Sequence, residues 1–188
     1  MKPRAVLILC EGVTEKIYFD FVVQNKRIAT VLPVEVLGKQ GQHTVLIKRC
    51  VKKRKLVAEE MGIDEEDIEV WAVCDQDCLR TSYQKLQRCA NQNQVMLAFS
   101  NPQFETYLVQ HFERKKTTSK RKKIEKELSE YLGVTYDKTN LDWFDEMIDR
   151  DPAKVVQAII NSDQLDNHTR PPFLTVQKLT KRLFKLAK

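Results

Sequence analysis

Ala5-Val6-Leu7-Ile8-Leu9-Cys10-Glu11-Gly12 sets six apolar residues directly against an acid and a glycine. A run that short, dense in Val, Leu and Ile, has the length of a strand buried on both faces. Gly12 permits a tight turn, and Thr14 reads as the cap of a helix running to about Lys26. The construction recurs at Val70-Trp71-Ala72-Val73-Cys74, which ends in Asp75 and, one residue on, Asp77. Two buried strands that each finish in acid decide the fold class and point to the site.

Between and after them the chain alternates. Thr30–Leu37 reads as a strand whose Pro33 favours an edge or a bulge. A basic helix follows from about Thr44 to Met61, a strand over Ile68–Cys74, a helix over Ser82–Asn91 and a strand over Val95–Phe99. Asn101-Pro102 reads as the start of a helix through His111, with Ser100 or Asn101 capping and Pro in the first turn. Alternation of this kind implies crossovers and a parallel sheet with helices on both faces. After about Glu113 the strand patterns stop, and Ser119–Leu132, Pro152–Leu165 and Thr175–Ala187 read as helices. The expectation is an α/β protein with a roughly four-stranded, mostly parallel sheet over residues 1–113. Residues 114–188 form a helical C-terminal extension packed on it as one cooperative unit.

Composition narrows the function. At 188 residues the chain can bury one core, and 42% hydrophobic with 31% charged residues is ordinary for a globular protein. No apolar run is long enough for a signal-peptide core or a bilayer span, which implies a cytoplasmic protein with no membrane partner. The five cysteines are odd in number, and Cys10 and Cys74 sit inside strand runs as small hydrophobes. Cys74 and Cys78 have metal-like spacing but lack a second pair, so a structural zinc site is not expected. Net charge is +6, and the excess clusters: Lys48, Arg49, Lys52, Lys53, Arg54 and Lys55 crowd one segment, and eight basic residues lie between Arg114 and Lys126. Such runs are solvated helix faces or, gathered on one side, a footprint for a phosphate backbone, DNA or RNA.

In an open parallel sheet ligands gather outside the carboxyl ends of the strands, so Glu11, Asp75 and Asp77 converge if their strands are neighbours. Glu15 lies one helical turn beyond Glu11, and Glu105 sits in the first turn after a later strand. Carboxylates around one mouth repel unless cations lie between them, and oxygen ligands of this kind suit Mg²⁺ or Mn²⁺. Each has a structural reading as well. Glu15 and Glu105 complement a helix dipole, and Asp75 and Asp77 shape a turn. Glu11 resists such a reading, because a charge at the lip of a buried strand is costly unless solvated or paired. Ser100 and Asn101 are cap residues first and phosphate contacts second. His111, beside Phe112 on an apolar helix face, reads as a packing histidine before an accessory catalytic one. Trp71 and Tyr107 read as core.

Cys10-Glu11-Gly12-Val13-Thr14-Glu15 with Tyr18-Phe19 resembles the opening motif of the RloB-like family, which is associated with restriction and phage-defence loci and carries a Toprim-like fold. The strand ending Asp75-Gln76-Asp77 is similar to the family's D-x-D strand. Ser100-Asn101-Pro102-Gln103-Phe104-Glu105 with Leu108 and His111-Phe112 resembles its third block, and Thr175-Val176-Gln177-Lys178-Leu179 is a weaker echo. The resemblance covers nearly the whole chain. It implies that Glu11, Asp75 and Asp77 share a metal site, and that Glu15 joins them as in nucleases with a similar E-G-x-x-E start. Gln76, Val13 and Gln103 depart from the residues usual there.

These readings together make the chain a Mg²⁺- or Mn²⁺-dependent endonuclease. Glu11, Asp75 and Asp77 hold metal, Glu15 and Glu105 assist, and Lys48, Lys52, Lys53, Arg54, Lys120, Arg121 and Lys122 meet nucleic acid. The rival is a non-cleaving nucleic-acid-binding or regulatory subunit, working with a partner protein of a defence system. A receiver-type phosphoacceptor is disfavoured, because it wants an acidic pair ending the first strand and a lysine ending a late one.

Overall fold

Every residue of β1 (Ala5–Cys10) is buried, and its side chains divide by parity as a pleated strand requires. Val6, Ile8 and Cys10 enter one hydrophobic cluster, and Ala5, Leu7 and Leu9 enter another on the opposite face. The same division runs through β3 (Ile68–Asp75): Trp71 and Val73 face one way, Val70, Ala72 and Cys74 the other. A sheet apolar on both faces needs two layers of helix. In the computed structural model, residues 3–25, 32–76, 82–117 and 120–187 are described, with residues 148 and 149 as backbone alone.

The helices supply both layers. Helix α1 (Val13–Asn25) buries Tyr18, Phe19, Val22 and Val23 on the first face. Helices α2 (His43–Met61) and α3 (Tyr83–Gln92) bury Leu46, Ile47, Cys50, Leu86 and Ala90 on the second. With β2 (Val34–Leu37), β4 (Met96–Asn101) and β5 (Phe173–Leu174) the sheet order is β2-β1-β3-β4-β5. The first four strands are parallel and β5 is antiparallel to β4. β2 lies at an edge, consistent with Pro33 just before it; of the expected Thr30–Leu37, residues 30 and 31 fall outside the described ones.

Three expectations are corrected here. Strands do not stop at Glu113: Phe173 and Leu174 add a fifth, and Thr175 locks it to β4. The Phe99 N–H donates to Thr175 Oγ1 (2.8 Å), whose hydroxyl donates to Leu97 O (3.2 Å), and the Thr175 N–H donates to Phe99 O (2.8 Å). Nor does a helix start at Asn101-Pro102. β4 runs through Asn101, and the short helix α4 (Glu105–Val109) starts with no side-chain cap. Ser100 and Asn101 are therefore strand residues. Thr14 does not cap α1 either, since its hydroxyl donates to Lys138 O (2.9 Å).

Beyond α4 come α5 (Arg121–Leu132), α6 (Asp142–Arg150), α7 (Ala153–Asp163) and α8 (Val176–Leu186). Residue 119, the expected start of α5, lies outside the described residues, and α6 was not foreseen. Ile124, Leu128, Phe144, Val155, Leu179 and Leu183 from these helices fill the same cluster as Val6 and Ile8. Arg182 of α8 grips Glu69 of β3 with three hydrogen bonds of 2.7–3.0 Å. Among the described residues no helix is long and apolar enough to cross a membrane.

Candidate functional site

From β1 the chain crosses one face to β2 at one side, then returns over the other face to β3 at β1's other side. That reversal opens a crevice between β1 and β3 at their carboxyl ends, where open α/β sheets bind ligands. The Glu11 N–H donates to Val73 O (2.9 Å), extending the β1–β3 ladder to the lip. Cys10 pairs with Val73, so Glu11 is level with Cys74 and Asp75 stands one residue further. Strand spacing and rise put the two acidic Cα atoms about 6 Å apart.

A cavity of about 460 Å³ opens at this crevice, and Glu11, Glu15, Asp75 and Glu105 line it. Four of the five expected carboxylates are thus brought together; Asp77, with Cys78, lies outside the described residues. Glu15 is 6% exposed and Glu105 7%. Gly12 makes the close approach of Glu15 possible, because a Cβ there would lie 2.5 Å from Glu15 Oε2. Burial pushes the Glu15 carboxyl up to about 8; its own backbone amide opposes this, and Asp75, Glu105 and Glu11 add to the rise. Glu105 is also raised by burial, opposed in part by the Tyr136 hydroxyl, which donates to its Oε1 (3.2 Å), and by Arg121.

Cations on the cavity walls were only partly foreseen. Arg121 lines it, but so do Lys39 and Lys138. Lys39 sits in the loop after β2, which is pinned to the mouth by the Gln40 N–H donating to Cys10 O (3.1 Å). The parallel-sheet rule applied to β2 as well as to β1 and β3 points to it. Lys138 and Tyr136 come from the turn between α5 and α6, and no local signal marks them. His43, at the start of α2, has Nε2 3.4 Å from Asp75 O.

The other expected contacts scatter. Lys48 and Lys52 are exposed on α2, about 8 and 14 Å along its axis from His43. Lys53 pairs with Glu35 at 3.0 Å. Lys120 and Lys122 are exposed beside Arg121. Arg54 is corrected outright: it is 8% exposed, donates to Glu65 Oε2, Asn93 O and Gln94 O, each at 3.2 Å, and ties α2 to the turn after α3. His111 belongs to the core. It is fully buried against Tyr18, Tyr107 and Phe144, with Nδ1 3.0 Å from Leu108 O and Nε2 3.2 Å from the Tyr18 hydroxyl. Burial lowers it to about 4, so it is neutral at pH 7 and outside the cavity. Ser100 is fully buried opposite Asp75 in the sheet register, and its hydroxyl finds no partner among the described residues. Asn101, half-buried, pairs with Phe173.

The donors fit a hard divalent cation by type. All are carboxylate oxygens, and the neighbouring thiols of Cys10 and Cys74 are buried with their pKa values raised, hence protonated. Among the described residues no three His, Cys, Asp or Glu side chains are gathered closely enough to hold a metal ion. Glu105 is engaged with Tyr136, and Glu15 keeps its proton at neutral pH.

Residues 6–183 match the family described as RloB-like protein. No curated protein and no solved structure matches the chain.

Proposed function

The chain belongs to the RloB-like family over nearly its whole length, and from that premise we propose a metal-dependent endonuclease acting on nucleic-acid phosphodiesters in cytoplasmic anti-phage defence. The carrying observation is the meeting of Glu11, Glu15, Asp75 and Glu105 with Lys39, Arg121 and Lys138 in one cavity at the switch crevice. Ionised carboxylates sharing one mouth repel one another unless a proton or an opposite charge sits among them.

In this reading Glu11, Asp75 and Asp77 hold Mg²⁺ or Mn²⁺, with Glu105 assisting once it is released from Tyr136. The bound ion supplies Lewis acidity and offsets charge developing at phosphorus. Glu15, whose carboxyl is raised by burial to about 8 in the metal-free protein, lines the same cavity and would carry a proton to or from the reacting oxygens. Lys39, Arg121 and Lys138 bind the backbone phosphates and set the strand over the carboxylates.

Wild type, Glu11→Ala and Asp75→Ala would be incubated with mixed DNA and RNA, with Mn²⁺ or with EDTA. The reading expects cleavage that needs both the metal and the two carboxylates. A well-folded Asp75→Ala protein cutting as fast as wild type would sink it. Binding retained in EDTA, no cleavage with metal, and no thermal stabilisation by Mn²⁺ would instead favour a non-cleaving subunit.

A further inference from the structure

We infer that the carboxylate mouth admits single-stranded or locally unpaired nucleic acid and excludes the outer face of an intact duplex, an inference that rests on the nuclease reading of the same mouth. Depth is the first ground. Glu15 and Glu105 are each more than nine-tenths buried at the floor of the cavity. The phosphates of a duplex lie on a convex cylinder and reach groups at the lip, such as the part-exposed Glu11 and Asp75, but not the two acids at the floor, which a single strand bending into the cavity approaches. A cavity of about 460 Å³ is the size of a small-ligand pocket, enough for a strand fed in locally and not for two strands side by side.

Walls are the second ground. One is the loop carrying Lys39, fastened to the end of β1. The other comes from the C-terminal extension and carries Arg121 and Lys138. Two side-chain bonds hold it over the floor: Thr14 Oγ1 to Lys138 O (2.9 Å) and the Tyr136 hydroxyl to Glu105 Oε1 (3.2 Å). Arg121 is fixed from beneath, its Nε donating to Gln103 Oε1 (3.1 Å). Gln103 is 3% exposed, and its Nε2 has no partner among the described residues. A strand passing between these walls meets cations on both sides, the arrangement by which grooves track a single backbone without reading its sequence.

Fluorescent oligo-dT, oligo-U and a blunt DNA duplex would be titrated against the Glu11→Ala protein by anisotropy, and offered to wild type with Mn²⁺. Single strands should bind at least about tenfold tighter than the duplex and be cut faster. The two single strands separate DNA from RNA. Lys39→Ala with Lys138→Ala should weaken single-strand binding several-fold, and Thr14→Val, which loosens the wall, should narrow the gap to duplex; circular dichroism would verify folding of each. A duplex bound and cut as well as the single strands overturns the inference and leaves the nuclease reading standing. Single-strand preference unchanged by the wall variants also overturns it, since the strand then enters elsewhere. No binding or cutting of any nucleic acid overturns both.

Discussion

At the residue scale, Gly12 and Glu15 act as one device. A methyl on Gly12 would collide only with the tip of the Glu15 side chain, which can rotate away, so Gly12→Ala should cost under about 1 kcal/mol of stability. It should still displace the carboxylate, and cleavage should fall at least about tenfold with Tm nearly unchanged; a fully active Gly12→Ala protein would refute the close-approach role. Glu15 makes a separate prediction in metal-free buffer. Its folded pKa is about 8 against an ordinary 4.5, so the folded protein binds this proton more tightly. That contribution is whole below about pH 4.5 and is lost as the pH rises through about 8. Glu15→Gln keeps the neutral shape and should become more stable than wild type by a few kcal/mol toward about pH 9. Urea midpoints of both proteins across pH, in EDTA, would check it. Glu11 was legible because a charge at the lip of a buried strand has no cheap structural explanation, and Asp75 because its strand ends in acid in the same way, although it could also have shaped a turn. Arg54 was misread because one basic residue in a basic run looks like the next, and only burial separates them.

At the scale of elements, the long strands and helices were legible where the pattern was long. Ile68–Asp75 and His43–Met61 differ from expectation by a residue at an end. β5 was not legible, since two residues carry no period. It exists because Thr175 takes the place of a strand neighbour along β4. Helix α6 could have been found: Leu141, Phe144 and, part-buried, Met147 fall at helical spacing. Helix α4 was predicted too early, because Asn-Pro carries helix-start chemistry while the sheet pairing of Ser100 and Asn101 with Leu174 and Phe173 holds them as strand. Thr175 gives this scale its test. Thr175→Val removes a buried acceptor from the Phe99 N–H and a donor from Leu97 O, at a cost of about 2–3 kcal/mol. Thr175→Ser retains both and should cost under about 1 kcal/mol. A Thr175→Ser midpoint below that of Thr175→Val would show that the methyl, not the hydroxyl, is what matters.

At the scale of the whole molecule, the reversal of strand order puts the crevice between β1 and β3, and that was foreseeable once neighbouring strands were assumed. The contribution of the extension was not. Arg121, Lys138 and Tyr136 reach the mouth through tertiary packing, which no periodicity encodes. The same packing argues that the two parts unfold together. Phe144, Val155, Leu179 and Leu183 share one cluster with Val6, Ile8 and Trp71, and Arg182 is clamped to Glu69 inside the sheet. Removing the extension would leave α1 and α4 as the cover of that face and expose much of the cluster to water. The two tryptophans are well placed to test this, since Trp71 lies in β3 and Trp143 in α6. Single-tryptophan variants, Trp71→Phe and Trp143→Phe, report fluorescence from one part each. Corrected for each variant's own stability by circular dichroism, both probes should follow the global urea transition with the same midpoint and slope. A tryptophan signal from α6 that is lost before the backbone signal of the sheet would mean that the extension detaches first. The cationic wall over Glu105 would then open independently of the fold beneath it.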